Sequence, residues 1–365
     1  MAQTLNTDMG ETLSIHPELG REVAVGEIDR ELHQLWEADD ARTNASLMNL
    51  AVYSEEPGCL VRNSEAVREL TREHACRALL IGIDRGIEET SIRAWITAHC
   101  HLRDGRKSVC CEQIAFLLTG RATGRLRNTV FAHLNSDLPL ILWWQGELSP
   151  IFGERLYSLV DRFVFDSSDW RDPIPSFERI RQANDDSPRL VVQDLSWTRC
   201  YQFRVSVAVL FDDPVALGAL GSMDTVRIVH HPKHRLTAIQ LLAWLANQAG
   251  WRDGLELGLA DGRKDGFSFE TEGGHPIEAV LVSDPESAAL GRLEMAAGEV
   301  RIEVGREAGC GHLVRRLRSP GHDFESPGPA DPVAATELLG EQLSRGGHNT
   351  LYRKILPRML KLLER

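Results

Sequence analysis

The sequence predicts an α/β protein: a mostly parallel sheet flanked by helices in the N-terminal domain, then an α+β C-terminal domain with an antiparallel β-meander. Three observations lead there. Short apolar runs alternate with helical periodicities through the first half of the chain, which is the pattern of βαβ units. The run DLPLILWWQG (137–146) is strand-length, apolar and bounded by turn signals, as a strand buried on both faces should be. Beyond residue 255, short alternating runs recur between Gly and Pro turns, as a meander requires.

The expected organisation is a flexible tail (1–27), an α/β domain (28–186) and an α+β domain (187–365). Helical spacing begins at Ile28 and continues through Leu32, Leu35 and Trp36, and a first strand is expected over Leu47–Tyr53. Ser64 is read as the N-cap of a helix through Val67, Leu70 and Thr71, followed by the strand ALLIGID (78–84). Residues 92–102 and 107–118 read as a hairpin closed at Asp104-Gly105 by a two-residue turn. That turn sets His99 opposite Cys110, His101 opposite Ser108 and Leu102 opposite Lys107. His99, His101 and Cys110 then share one face, with Cys100 and Cys111 diagonal on the other.

The Gly-punctuated loop GRATGR (120–125) and a helix through Val130, Phe131 and Leu134 lead into the Trp-Trp strand. Side chains alternate along a strand, so one of Trp143 and Trp144 is expected in the core and the other on a crevice or contact surface. Strands RFVFDSS (162–168) and RLVVQDLSW (189–197) follow, with helices near 152–160 and 176–183 before them. The second half is read as a helix over 197–211, the strand TVRIVHH (225–231) and an apolar core helix over 235–251. The meander runs are LELGLAD, GFSFETE, IEAVLVS, LGRLEMA, VRIEVGR and HLVRRLR. A flexible connector (319–332) and two closing helices (333–345 and 349–363) end the chain.

Composition narrows the function classes. A net charge of −12 argues against nucleic acid or an anionic membrane as the main partner, since both reward a basic face. No apolar run approaches the roughly 20 residues that span a bilayer. The N-terminus lacks a basic region followed by an apolar core, and the seven cysteines are odd in number and irregular in spacing. A cytoplasmic protein with mostly reduced thiols is the expectation.

No nucleophile elbow, H-E-x-x-H or dinucleotide fingerprint is present in the sequence. GRATGR, with Arg121 and Arg125, offers an anion site if it opens a helix, and is otherwise a turn with a solvated basic face. His99, His101 and Cys110 could begin a zinc site but lack a fourth ligand, and His230, His231 and His234 are a similar weak cluster. Cys100, Cys110 and Cys111 admit a redox pair or buried inert thiols. His74 and Arg77 before one strand, and Asp194, Trp197 and Arg199 after another, could serve function or simply cap helices and pair charges. No metal and no cofactor is expected.

HACR (74–77), CEQI (111–114), SDLPLILWW (136–144), FDSS (165–168), QDLSWTR (193–199), LLAWLANQAGW (241–251) and NTLYRKIL (349–356) occur in an order that resembles the OpcA family. These are the glucose-6-phosphate dehydrogenase assembly proteins. Departures are Ala75-Cys76 where the family has a proline-fixed turn, Phe203 where a second tryptophan is usual, and Ala243 for a glycine. The resemblance implies a non-enzymatic partner that binds glucose-6-phosphate dehydrogenase and promotes its active oligomer. Partner contacts are then expected among His74, Arg77, Glu112, Asp137, Trp143, Trp144, Asp166, Asp194, Trp197 and Arg199. The competing expectation is a sugar-phosphate-binding protein or enzyme using Arg121 and Arg125 of GRATGR with His74 and Arg77.

Overall fold

The computed structural model describes residues 15–16, 18–37, 42–44, 46–103, 107–254, 265–306, 310–345 and 350–364. Two compact units emerge: Met1–Gln145 with Leu159–Asp161, and Gly146–Ser158 with Arg162–Arg365.

The first unit comprises β1 (Ile15–His16), β2 (Gly20–Val23), α1 (Ile28–Glu37), β3 (Arg42–Asn44), β4 (Asn49–Ser54), α2 (Cys59–Leu70), β5 (Arg77–Asp84), β6 (Ile92–Arg103), β7 (Lys107–Thr119) and β8 (Leu140–Trp144). Every residue of β4 and β8 is buried, as is Ala78–Ile83 of β5, so these strands have no polar face and sit at the centre of a covered sheet. The strand order is β1-β2-β6-β7-β5-β4-β8, with β3 paired to the early part of β7. Pairings β7–β5, β5–β4 and β4–β8 are parallel, whereas β1–β2, β2–β6 and β6–β7 are antiparallel.

The sheet is therefore mixed, which corrects the mostly parallel expectation. A short hairpin must return antiparallel, and β2, within the stretch read as a tail, extends that antiparallel edge. After β4 the chain crosses through α2 to β5 on one side, while β8 lies on the other side of β4. Such a reversal of strand order is where open α/β sheets form a crevice.

Three local expectations are corrected. First, α2 starts at Gly58, whose φ of 70° ends the preceding turn, and Ser64 lies buried inside the helix. Its hydroxyl donates to the Glu18 carbonyl (2.8 Å) and accepts from Gln113 (2.9 Å). Second, the hairpin pairs Arg103 with Lys107, Cys100 with Cys110 and His99 with Cys111. Three residues, not two, separate the paired ends, so the register moves by one and every facing pair changes. The Asp104-Gly105 turn itself lies outside the described residues. Third, GRATGR and the residues after it form a 3-10 turn (Gly120–Arg125), a π turn (Leu126–Val130) and another 3-10 turn (Phe131–His133) instead of one helix. Gly120 has φ 53°, and a Cβ there would lie 2.7 Å from the Glu88 carbonyl oxygen.

The second unit holds α3 (Glu154–Tyr157), β9 (Arg162–Phe165), α4 (Pro173–Asp186), β10 (Val191–Asp194), α5 (Leu195–Thr198), α6 (Tyr201–Phe211), α7 (Pro214–Ala219), β11 (Thr225–His230) and α8 (Arg235–Gln248). It continues with β12 (Arg252–Asp253), β13 (Gly266–Glu270), β14 (Pro276–Ser283), β15 (Leu290–Ala297), β16 (Val300–Gly305), β17 (His312–Ser319), β18 (His322–Pro329), α9 (Ala335–Arg345) and α10 (Thr350–Leu363). Strands β9 and β10 pair in parallel, Val164 beside Gln193.

The large sheet runs β12-β13-β14-β11-β15-β16-β17-β18. It is not the uninterrupted meander expected: β11 inserts between β14 and β15, parallel to the first and antiparallel to the second. The predicted connector also contains β18, paired along its length with β17, and the LELGLAD run lies outside the described residues. One sheet face carries buried Ile228, Leu281, Leu293, Met295 and Ile302. Helix α8 packs on β11 and β14, and α6 on β16 and β17. Among the described residues no single helix is long and apolar enough to cross a membrane; Leu195–Phe211 and Pro214–Ser222 reach that length only together, across a 92° bend.

Candidate functional site

Two carboxylates at the C-terminal ends of β9 and β10 organise the second unit. Asp166 follows β9 and accepts from the Ser168 amide (3.1 Å), capping the 3-10 turn Ser167–Asp169. Asp194 ends β10 and accepts from the Ser196 amide (2.9 Å), capping α5, and from the Ser167 amide (3.1 Å). Arg199, just after α5, grips Asp166 with both terminal nitrogens, at 2.6 and 3.2 Å. Asp194 also accepts from the Gln240 amide of α8 (2.6 Å) and the Tyr352 hydroxyl of α10 (3.2 Å). The segments FDSS, QDLSWTR and NTLYRKIL, distant in sequence, therefore meet here.

Burial decides the electrostatics. Asp166, Asp194 and Arg199 are all buried. Burial pushes the Asp194 carboxyl up to about 6, and the neighbouring Asp166 charge adds to that. Burial acts on Asp166 in the same direction, but the Arg199 guanidinium outweighs it and holds this carboxyl below the usual range. Trp197, also buried, lies under the Arg204 guanidinium, 3.4 Å from its ring centroid, and its carbonyl accepts from Arg204 (3.1 Å). Close by, Asp331 accepts from the Gln202 amide at 2.9 and 3.1 Å, and burial pushes its carboxyl up to about 7. The bonds of the two capping carboxylates run to helix starts and to side chains of other helices. Chemically this is a staple that locks helix ends to strand ends.

In the first unit, the crevice position at the end of β4 is filled by the chain's own side chains. Tyr53 stacks on Trp144, ring centroids 3.8 Å apart, and donates from its hydroxyl to Glu55 (2.5 Å). Glu55 also takes two hydrogen bonds from Arg85, at 2.6 and 3.0 Å. Asn63 of α2 and Gln145 after β8 exchange reciprocal amide bonds of 3.1 and 2.8 Å. The turn from β4 to α2 reads Ser54-Glu55-Glu56-Pro57-Gly58, with two carboxylates where a phosphate-binding turn presents glycine amides.

Trp143 and Trp144 are 5% and 0% exposed, so both belong to the core, correcting the expectation that one of them lines a surface. Their side chains alternate as a strand demands, but both faces of β8 are covered.

The remaining predicted residues scatter. Arg77 lies 3.6 Å from Glu112 and 3.3 Å from Asp29, and Glu112 accepts from the Trp36 indole (2.6 Å). His74 follows α2, its amide bonded to the Leu70 carbonyl, and Asp137 is an exposed turn residue. Arg121 and Arg125 are exposed on the 3-10 turn. The expected His99, His101 and Cys110 group is dispersed. His99 bonds Gln113 (2.8 Å), His101 bonds the Thr71 hydroxyl (2.9 Å), and Cys110 forms a disulfide with Cys100 across the strands, Cα atoms 4.0 Å apart. Cys111, expected as a possible redox partner of Cys100, is a buried thiol outside the disulfide, pushed up by burial. Among the described residues no set of three or more His, Cys, Asp or Glu side chains could hold a metal ion. Burial and the Arg199 charge push His234 down to about 4, so it is neutral at pH 7.

Sequence reasoning missed Gln240, Tyr352, Asn63, Gln145, Glu55 and Arg85. Gln240 carried a usable signal, a fully buried amide within an apolar helix, which demands a partner.

Comparison with known proteins also gives two parts, but divides them between residues 182 and 190, within the second structural unit. Residues 67–182 match the family described as glucose-6-phosphate dehydrogenase subunit N-terminal domain, and residues 190–356 match its C-terminal domain. A relative from Synechocystis sp., named "Putative OxPP cycle protein OpcA", is 23% identical over 295 residues, which is 76% of this chain and 61% of that protein. The chain thus spans about three fifths of this curated relative. Among solved structures, the aldose-aldose oxidoreductase from Caulobacter crescentus is 14% identical with a TM-score of 0.45, covering 87% of this chain and 95% of that one. KijD10, a 3-ketoreductase from Actinomadura kijaniata in complex with NADP, is 11% identical with a TM-score of 0.47, covering 87% and 96%. With both subunit domains matched along most of its length, the chain belongs to the OpcA family of glucose-6-phosphate dehydrogenase subunits.

Proposed function

We propose that this protein is a non-catalytic partner of glucose-6-phosphate dehydrogenase that binds the enzyme, favours its active oligomer and raises its activity in the oxidative pentose phosphate pathway. The observation that carries this reading is the family match across both halves of the chain. The filled crevice supports the non-catalytic part. Glu55 and Glu56 repel phosphate where a dinucleotide fold would cradle it, and the Asn63–Gln145 pair bridges α2 to the end of β8.

An effector of this kind must bind the active form of its enzyme more tightly than the inactive form, since equal affinity shifts no equilibrium. The buried staple and the buried tryptophans serve this role by holding a rigid surface, not by touching the partner. Partner contacts then fall on groups that reach solvent, of which the exposed Asp137 and the half-buried His74 are the predicted candidates still available. The test is to add purified protein to the dehydrogenase and follow turnover, substrate affinity and particle mass together. A rise in activity with a shift to larger particles is expected; no change in any of the three would refute the proposal.

A further inference from the structure

The second unit's sheet has one face packed by helices and one that carries a ladder of charge. Register places Arg227 of β11, Glu294 of β15, Glu303 of β16, Arg316 of β17 and Glu325 of β18 side by side in one row. In that row Glu294 stands directly opposite Glu303, but an arginine pairs with each carboxylate. Arg227 meets Glu294 at 2.9 Å, and Arg316 meets Glu303 at 2.9 Å and Glu325 at 2.8 Å. Arg292 adds a further contact to Glu294 at 3.4 Å.

The next row on the same face, two residues along each strand, is different. It runs Thr225, Ala296, Arg301, Arg318 and Asp323, so two arginines stand directly opposite each other on neighbouring strands. Like charges in that position destabilise a sheet. Arg301 donates to the Gly298 and Val300 carbonyls, and Arg318 has only a loose 3.7 Å approach to Asp323 across side chains 61% and 73% exposed. A basin of about 410 Å³ opens over both rows. That volume suits a small molecule.

We infer that this basin binds a small phosphate monoester that carries hydroxyl groups, such as a sugar phosphate. Two guanidinium forks on adjacent strands suit a doubly charged phosphate, which each fork can meet with two N–H bonds. Phosphate would relieve the repulsion between Arg301 and Arg318. Hydroxyls lying one row away, about 6.6 Å along the strands, would donate to Glu294 and Glu303, whose oxygens can accept further bonds. This moves sugar-phosphate recognition away from GRATGR, whose arginines lie on a 3-10 turn in the other unit. The inference is independent of the dehydrogenase reading, and failure of one leaves the other intact.

Calorimetric titration of the full chain with glucose 6-phosphate, glycerol 3-phosphate and inorganic phosphate tests it. Saturable binding is expected, tightest for the sugar phosphate, with a loss of about tenfold or more in Arg301→Gln and Arg318→Gln as a charge-assisted fork is removed. Arg121→Gln should bind as the wild type does. Both sheet variants should melt at or above the wild-type temperature without ligand, which separates lost binding from lost fold. Arg318→Lys, which keeps the charge but not the fork, should retain part of the affinity. No saturable heat, equal binding by the glutamine variants, or no preference for the hydroxyl-bearing esters would overturn the inference. So would variants that lose only dehydrogenase binding, which would make the patch a protein-docking surface.

Discussion

The two units treat the C-terminal ends of their parallel strands in opposite ways. In the first, the end of β4 is closed by a partly exposed ion pair, Glu55 with Arg85, over a neutral interior made of Tyr53, Trp144 and the Asn63–Gln145 amides. In the second, the ends of β9 and β10 are closed by charge itself: Asp166, Asp194 and Arg199, all buried. The first closure rests on packing and its charges are screened by solvent. The second depends on each charge having its partner, because an unpaired charge in the interior is costly. Both fill the positions where α/β sheets commonly hold ligands.

That contrast sets a graded series of outcomes. Arg199→Met should have the largest effect, about 3–5 kcal/mol in denaturant unfolding, because it leaves Asp166 buried without its partner. A loss below about 1 kcal/mol would mean that the staple is not electrostatic. Trp144→Ala should cost a comparable 3–5 kcal/mol or so through the cavity it opens. Trp143→Ala should likewise lower stability, because both indoles are core; a fully stable Trp143→Ala that fails only to activate the dehydrogenase would contradict the burial seen here. Asn63→Ala should cost about 1–3 kcal/mol by leaving Gln145 without its amide partner.

The pH dependence should also separate the units. Asp331, in the second, has a folded-state value of about 7, raised by burial above its ordinary carboxylate value. Its stabilising contribution is therefore complete below about pH 4 and is lost as pH rises through 7. Asp331→Asn removes this titration. Measured from pH 5 to 8, the variant should gain on the wild type with a slope of up to about 1.4 kcal/mol per pH unit. A difference that stays flat would show that Asp331 is ionised throughout. The smallest effect should come from Arg85→Met in the first unit: 0–1 kcal/mol or so, falling further at high salt, since the Arg85 side chain is 49% exposed.

Legibility in the sequence followed the physics of each element. LILWW (140–144) announced itself as a central strand because it is apolar at every position, and only burial on both faces accommodates that. The same property defeated the inference that one tryptophan is exposed: alternation assigns a side chain to a face, but not whether that face is covered. The hairpin was legible and its register was not, because a two-residue and a three-residue connection differ by a slip that shifts every pair. Ser64 looked like a helix cap because residue type was the only clue, whereas the positive φ of Gly58 sets the start. Position β11, between β14 and β15, depends on long-range pairing that no local run encodes. Asp166, Asp194 and Arg199 were singled out from sequence, but their convergence with Gln240 and Tyr352 required the fold.

We propose that this chain acts on glucose-6-phosphate dehydrogenase by binding and not by catalysis of its own. Light scattering of the dehydrogenase titrated with the purified chain, with turnover followed in the same samples, tests it most directly. A saturable increase in particle mass accompanied by a rise in turnover, with no turnover by the chain alone, is the expected result. Unchanged mass and turnover at saturating chain, or NADP reduction by the chain without the dehydrogenase, would contradict it.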